Sequence, residues 1–252
     1  MEMDEKIWWK IVNTITVNYQ FIDTPDYCAE QAAISLLMYK IAYCLDVDVY
    51  SDFASSCLDR CVSMFPDVSF KMASAGWMVC RILNEGWISG NMNDLLHEVD
   101  KRILPILSSR LDFGDEVKGD FMLPHFYLLE RHKENKQSWI EQTDVLHNLR
   151  DAVSRRIANG GVFSDFSQES IDRFFLYAGE KHVFCNCYPE VFYAQTPEIF
   201  AQQAWRALFY DQKILRLFSE DELARYIDRL IADFEPAEDL NLKGILGIGL
   251  LL

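Results

Sequence analysis

An all-α fold is what this sequence predicts, and three observations support it. Apolar residues recur at steps of three and four along most of the chain, which is the spacing of one helical face. Segments with the two-residue period of a strand have little support. Strongly apolar helical segments return at intervals of roughly 40–50 residues, a period typical of stacked helical hairpins in a solenoid or a ring. We therefore predict hairpins stacked as a shortened or open α/α toroid.

Four predicted helix pairs account for most of the chain. Residues 29–45 and 50–65 form the first pair, joined by the acidic turn Asp46-Val47-Asp48. The other pairs are 69–83 with 91–107, 121–131 with 138–157, and 220–234 with 242–252. Residues 164–213, which contain Pro189 and Pro197, fit the pattern least well. Because no Gly/Ser-rich linker divides the chain, we predict a single domain over residues 1–252.

The charge of the chain excludes two classes of partner. With 24 basic and 39 acidic residues, the formal net charge is −15. Nucleic acid and anionic membrane surfaces carry the same sign and repel such a protein. The N-terminus is acidic, unlike an export signal, and the apolar C-terminal run is far shorter than the ~20 residues of a membrane-spanning helix. We expect no nucleic-acid partner, no membrane insertion and a cytoplasmic location.

Two segments resemble the inner helices of a known family. Residues 69–88 read SFKMASAGWMVCRILNEGWI, and residues 242–252 read LKGILGIGLLL. The first is similar to a hairpin of the lanthionine synthetase C-like (LanC-like) family, and the second to its repeated Gly-x-x-Gly-Ile-Gly helix. Small residues at these positions allow helices in a tight ring to approach closely. The resemblance implies a double layer of inner and outer helices.

The same resemblance implies zinc-dependent thioether formation, but the family segments that carry this chemistry are missing from the sequence. LanC-like cyclases add a peptide cysteine thiol to a dehydrated serine or threonine, using a zinc ion held by two cysteines and a histidine. Zinc lowers the pKa of the thiol and so supplies the thiolate nucleophile. The family's Trp-Cys-x-Gly, Cys-His-Gly and Gly-x-x-His-Gly segments have no counterpart here. We therefore expect a non-catalytic binding or accessory component in lanthipeptide-type peptide modification, with a peptide or protein partner and no cofactor.

One segment keeps an alternative with zinc open. His182, Cys185 and Cys187 are soft ligands within six residues of each other. Three protein ligands and one open position are typical of a catalytic zinc site. These residues are the candidate metal ligands, and a divergent zinc-dependent thioether cyclase is the alternative function. The competing interpretation is a packed segment with buried thiols.

The remaining cysteines allow the same two interpretations. Cys57 and Cys61 are four residues apart and share a helical face. They could coordinate a metal ion together with two of the three cysteines on predicted neighbouring helices, Cys28, Cys44 and Cys80. Cysteine also serves as a small hydrophobe between helices, which we prefer here. The odd total of seven, without regular spacing, favours reduced thiols over a disulfide framework.

Four residues are candidates for a binding cavity. Trp77, Tyr188 and Tyr193 belong to an aromatic content of 13%, and such side chains bury a large area at low entropic cost. His125 lies in an apolar segment, where a histidine facing a cavity would act as an acid or base near neutral pH. All four would equally suit an ordinary core.

Two acidic runs, residues 219–222 and 235–239, permit a third function. Glycoside hydrolysis on an α/α barrel uses two carboxyl groups, so a carbohydrate-active protein is a further alternative. However, Ser219 followed three residues later by Glu222 indicates a capping box at a helix start, and we prefer this interpretation.

The C-terminal segment also bears on assembly. Because residues 242–252 are almost wholly apolar, they require a cover. We expect that cover from the first helix, around Trp8 and Trp9, or from another copy of the chain. A homo-oligomer is therefore an open alternative.

Overall fold

Helices dominate the chain, which confirms the all-α fold class. The computed structural model describes residues 5–22, 24–65, 71–108, 121–133, 144–184, 188–235 and 244–252. Two compact units are present: unit 1 comprises Met1–Ser89 and Pro189–Leu252, and unit 2 comprises Gly90–Tyr188. The single domain and the toroid stay predictions. Among the described residues, no helix is both long and apolar enough to cross a membrane.

The regular elements follow the order expected of helical pairs, with two short strands late in the chain. In chain order they are α1 (Glu5–Asn18), α2 (Cys28–Leu45), α3 (Asp48–Met64), α4 (Met72–Asn84), α5 (Met92–Ser108), α6 (Leu123–Arg131), α7 (Val145–Ala158), α8 (Asp165–Tyr177), β1 (Val191–Ala194), α9 (Pro197–Gln202), α10 (Ala204–Tyr210), β2 (Lys213–Arg216), α11 (Glu220–Ala232) and α12 (Ile245–Leu251). Units 1 and 2 divide these elements so that α5 to α8 belong to unit 2.

The first predicted hairpin is present as α2 and α3 in unit 1. The two helices run antiparallel, because Ser35 Oγ donates to the carbonyl of Ala54 at 2.8 Å and Cys61 Sγ donates to the carbonyl of Cys28 at 3.3 Å. The turn between them begins at Asp46, whose φ of 54° ends α2 in the left-handed region. Helix α2 also packs on α4 and α12, so it forms the centre of unit 1.

The C-terminal helix α12 is covered within unit 1, as one of our two alternatives predicts. It contacts α1, α2, α9 and α10. Its contact with α1 and α2 is close, since a Cβ on Gly249 would lie 2.8 Å from Leu37 Cδ2 and 3.3 Å from Ile11 Cγ2. On α1, Trp8 is buried and Trp9 is half exposed. The small residue at position 249 therefore serves close helix packing.

Strand structure is sparse, as we expected, and among the described residues it is confined to one short region. Strands β1 and β2 pair in parallel, with Val191 opposite Lys213 and Ala194 opposite Arg216. Helices α9 and α10 form the crossover between them, as a parallel pair requires. The strands lie in the segment that fitted the hairpin pattern least well. Four residues each are too few to reveal a two-residue period in the sequence.

Unit 2 is a smaller helical unit with its own aromatic core. Helix α6 packs on α5 and α8, and α5 also packs on α7. Phe174 and Phe175 of α8 and Tyr127 of α6 are fully buried. The predicted helix 138–157 is observed from residue 145 onward, and its predicted start lies outside the described residues.

Candidate functional sites

A cavity of about 290 Å³ lies within unit 1, and we call it the unit 1 cavity. Helices α2, α4, α10 and α12 supply its walls, together with the turn after α4. Its apolar lining includes Leu36, Trp77, Trp87 and Leu208. Trp77, a predicted cavity residue, therefore lies on a cavity wall.

The two tryptophans of the unit 1 cavity are held by other aromatic rings. The ring of Trp77 lies 4.4 Å from that of Phe209, measured between centroids. Trp87 stacks on Tyr39 at 6.4 Å. Such ring pairs stabilise aromatic side chains beyond their burial alone. The cavity thus has a preformed aromatic wall.

Three charged side chains complete the lining of the unit 1 cavity: Lys40, Arg81 and Glu85. Arg81 Nε donates to Glu85 Oε1 at 2.9 Å, so these two charges offset each other. Lys40 Nζ donates instead to the backbone carbonyl of Leu250 at 2.8 Å. Burial lowers the pKa of Lys40, and within the described residues no carboxylate opposes that shift. The cavity therefore contains one cation that lacks a described carboxylate partner.

Unit 2 contains a buried carboxylate that the chain itself satisfies. Asp172 of α8 is fully buried. Its Oδ1 accepts hydrogen bonds from the backbone N–H groups of Val183 at 2.7 Å and Phe184 at 2.9 Å. Its Oδ2 accepts one from the Tyr188 hydroxyl at 3.2 Å. Asp172 with Val183, Phe184 and Tyr188 forms what we call the Asp172 cluster.

Two predicted site residues meet at the Asp172 cluster. His182 Nδ1 lies 3.7 Å from Asp172 Oδ2, and Tyr188 donates to the same oxygen. Cys185 and Cys187, the other candidate metal ligands, lie outside the described residues. Among the residues that the structure describes, no group of three His, Cys, Asp or Glu side chains could hold a metal ion. The metal site stays a prediction.

A second ion pair supports the Asp172 cluster. On α8, Arg173 Nε donates to Glu169 Oε1 at 3.0 Å, and both side chains are largely buried. The Arg173 guanidinium also lies 6.0 Å from the centre of the Tyr188 ring. Sequence reasoning missed three charged residues of α8, namely Glu169, Asp172 and Arg173. The available signal was the charged pair Asp172-Arg173 between apolar Ile171 and Phe174.

The other two cavity candidates have different surroundings. His125 is fully buried in unit 2, where its ring lies 5.1 Å from that of Phe174. Burial lowers its pKa to about 4, and the backbone of Phe121 offsets only part of this effect. His125 is therefore neutral at pH 7. Tyr193 lies on β1 with its side chain more than half exposed.

The described cysteines fit the interpretation as small hydrophobes. Cys28, Cys57, Cys61 and Cys80 are buried free thiols, and Cys44 is exposed. Burial raises the pKa of Cys28 and of Cys57 to about 12. In the absence of a metal ion both thiols stay protonated at neutral pH, and a protonated thiol is a poor nucleophile.

The predicted capping box is confirmed at the start of α11. Ser219 Oγ accepts a hydrogen bond from the Glu222 backbone N–H at 3.3 Å, and the Glu222 carboxylate accepts one from the Ser219 N–H at 2.8 Å. The hydrogen bonds that the Glu222 carboxylate accepts from the Ser219 N–H and hydroxyl lower the pKa of Glu222. A general acid for glycoside hydrolysis needs a raised pKa. Glu222 is therefore unsuited to that role, and residues 236–239 of the other acidic run lie outside the described residues.

Comparison with known proteins adds no relative. No family model, no curated protein and no solved structure matches this chain. The likeness to LanC-like inner helices therefore rests on residues 69–88 and 242–252 alone. Any function has to be argued from the two sites.

Proposed function

We propose that this protein binds a peptide in the unit 1 cavity and serves as a non-catalytic accessory component in lanthipeptide-type peptide modification. The observation that carries the proposal is the lining of the cavity, in which Trp77 and Trp87 lie beside Lys40. Aromatic walls with a few fixed polar groups are typical of binding pockets. The modification context is inferred from the LanC-like segments.

The size of the cavity agrees with a peptide side chain or chain end as its occupant. Pockets for drug-sized ligands run from roughly 300 to 1,000 Å³. At about 290 Å³ the unit 1 cavity is at the small end of this range. It holds one or two residues, and the rest of a bound peptide extends outside.

Two buried thiols of unit 1 agree with a role in binding. Cys28 and Cys57 both have pKa values raised by burial to about 12. Without a bound metal ion both thiols stay protonated at neutral pH, so these two positions offer neither an activated nucleophile nor a preformed zinc ligand. A role in holding a peptide for a separate modifying enzyme requires neither.

A peptide array tests the proposal. We would probe random octapeptides with the fluorescently labelled full chain, and measure the affinity of the three strongest binders by isothermal titration calorimetry. Trp87→Ala should weaken binding at least tenfold, because buried aromatic residues dominate peptide recognition. Trp9→Ala is the matched control, since Trp9 is half exposed on α1 and does not line the cavity. Array-wide absence of binding, or equal losses in both variants, would overturn the proposal.

One observation keeps the zinc-dependent thioether cyclase as a second candidate. Asp172 Oδ2 lies 3.7 Å from Nδ1 of His182. A carboxylate beside one ring nitrogen is the usual way to orient a histidine that binds metal through the other. Elemental analysis of protein purified without chelator tests this candidate. Stoichiometric zinc that is lost in Cys185→Ala and Cys187→Ala would favour it, and absence of zinc would remove it.

A further inference from the structure

The charges lining the unit 1 cavity specify more about its ligand than the aromatic wall does. Arg81 is paired with Glu85 at 2.9 Å and has Asp211 at 4.0 Å. Lys40 has a backbone carbonyl as its partner, at 2.8 Å. An ammonium that is largely removed from water gains most from an anionic partner. The cavity therefore favours an anion next to Lys40, although the chain as a whole carries −15.

The neighbours of Lys40 restrict the kind of anion. Leu36 and Trp77 line the same cavity and require an apolar group close to the negative charge. The volume of about 290 Å³ accommodates roughly one residue with its flanking atoms. The last residue of a peptide offers an apolar side chain and a carboxylate on the same Cα, whereas an internal glutamate brings two lengths of chain with it.

We infer that the unit 1 cavity recognises the free C-terminal carboxylate of a peptide that ends in an apolar residue, with Lys40 as the carboxylate-binding group. This inference rests on the proposed function and narrows it to one end of the peptide. Capture of a terminal carboxylate by preplaced donors is an established mode of peptide recognition. Arg81 acts as a second, already paired cation at the cavity wall.

The experiment compares three peptide sets that differ only in where a carboxylate is placed. The sequence Ac-Gly-Ser-Thr-Gly-X is synthesised with X as Ala, Val, Leu, Ile, Met, Phe, Tyr or Trp. One set has a free C-terminal carboxylate, one has a C-terminal amide, and one has the amide with glutamate in place of threonine. We expect at least one free acid to bind about tenfold more tightly than its amide, the gain typical of a charged hydrogen bond.

Variants of two lysines assign this preference. Lys40→Met should abolish the difference between acid and amide, and Lys40→Arg should retain part of it. Lys213→Met is the matched control, since Lys213 is exposed on β2 of the same unit and lies away from the cavity lining. Thermal unfolding followed by circular dichroism establishes that each variant is folded.

The outcomes separate this inference from the proposed function. If acid and amide bind equally, or if the glutamate amide binds as tightly as the acid, the C-terminal assignment is wrong while peptide binding stands. If acid preference survives Lys40→Met, Lys40 is not the carboxylate-binding group. If no set binds and the octapeptide array is also blank, both proposals are overturned.

Discussion

Two charged side chains of this protein have contrasting surroundings, since Asp172 is fully buried and Lys40 is partly buried. Asp172 in unit 2 accepts hydrogen bonds from two backbone N–H groups and from Tyr188. Lys40 in unit 1 donates to the backbone carbonyl of Leu250 and lines a cavity. A charge whose partners all come from its own chain stabilises the fold. A charge that lines a cavity and is paired with a neutral carbonyl can still gain an anionic ligand.

The comparison gives a criterion for choosing between the two sites. The sequence indicates a candidate metal site near Asp172, because His182 is followed by two cysteines. The structure gives Asp172 a structural task, since it connects α8 to the residues that follow it. No sequence motif includes Lys40. In the structure, however, it lines a cavity with an aromatic wall, as a residue of a binding site does.

Removing the carboxylate of Asp172 should have the largest effect. Asp172→Ala leaves the N–H groups of Val183 and Phe184 without their acceptor, at a cost of about 3–6 kcal/mol in the free energy of unfolding. Urea unfolding followed by circular dichroism measures this cost. The matched control is Asp151→Asn on α7, because Asp151 is half exposed and should change the free energy by less than about 0.5 kcal/mol. If the two variants lose the same free energy of unfolding, Asp172 does not have the structural role that we assign to it.

His125 should make stability depend on pH, because unit 2 buries it in the neutral form. Its pKa is lowered from 6.5 to about 4, so the unfolded chain binds a proton over this range and the folded chain does not. The contribution of His125 to the free energy of unfolding is fully present above pH 6.5. It is lost on acidification, and the total loss reaches about 3 kcal/mol once the pH is below 4.

The measurement for His125 is urea unfolding at pH 7.5 and pH 5.5, both above the isoelectric point near 4.7. Over this interval we expect a loss of about 1.4 kcal/mol from His125 in the native sequence. His125→Leu should remove that loss, and His97→Gln, at an exposed position of α5, should retain it. An unchanged pH dependence in His125→Leu would contradict the buried neutral state.

Gly249→Ala tests the close packing of helices beside the unit 1 cavity. The new Cβ would lie 2.8 Å from Leu37 Cδ2, so the free energy of unfolding should fall by about 1–2 kcal/mol, after allowance for the better helix propensity of alanine. Leu37→Ala removes the side chain with which the new Cβ clashes. The loss of unfolding free energy in the double variant should therefore be smaller than the sum of the losses in the two single variants. Additive losses in urea unfolding would show that Gly249 is not packed on Leu37.

Lys40→Met should have the smallest effect on stability, in contrast to Asp172→Ala. Methionine keeps the apolar contacts and removes a partly buried charge, while the Leu250 carbonyl loses one donor. These effects offset each other, so the change should stay within about 1 kcal/mol in urea unfolding. If Lys40→Met lowers the free energy of unfolding by more than about 2 kcal/mol, Lys40 has a structural role like that of Asp172.

The sequence predicted the fold where the signal is local and repeated. The hairpin of α2 and α3 follows from apolar periodicity on both sides of an acidic turn, and the capping box at Ser219 follows from two residues at a fixed spacing. The parallel strands β1 and β2 were missed because each is short and their pairing joins residues 191 and 213.

The sites were less predictable because they depend on contacts distant in sequence. Lys40 meets Leu250 across 210 residues, and no local pattern connects them. Asp172 meets Tyr188 only because the chain turns back after α8. Trp77, a candidate because of its aromatic side chain, lines the unit 1 cavity, whereas His125 packs against Phe174 in unit 2.

The accessibility of Lys40 tests the central claim most directly. Reductive methylation of the full chain, read out by mass spectrometry, would be measured with and without the strongest peptide from the array. We expect the bound peptide to protect Lys40 and to leave Lys213 unaffected. If the peptide binds while both lysines are methylated at unchanged rates, the unit 1 cavity is not the peptide site.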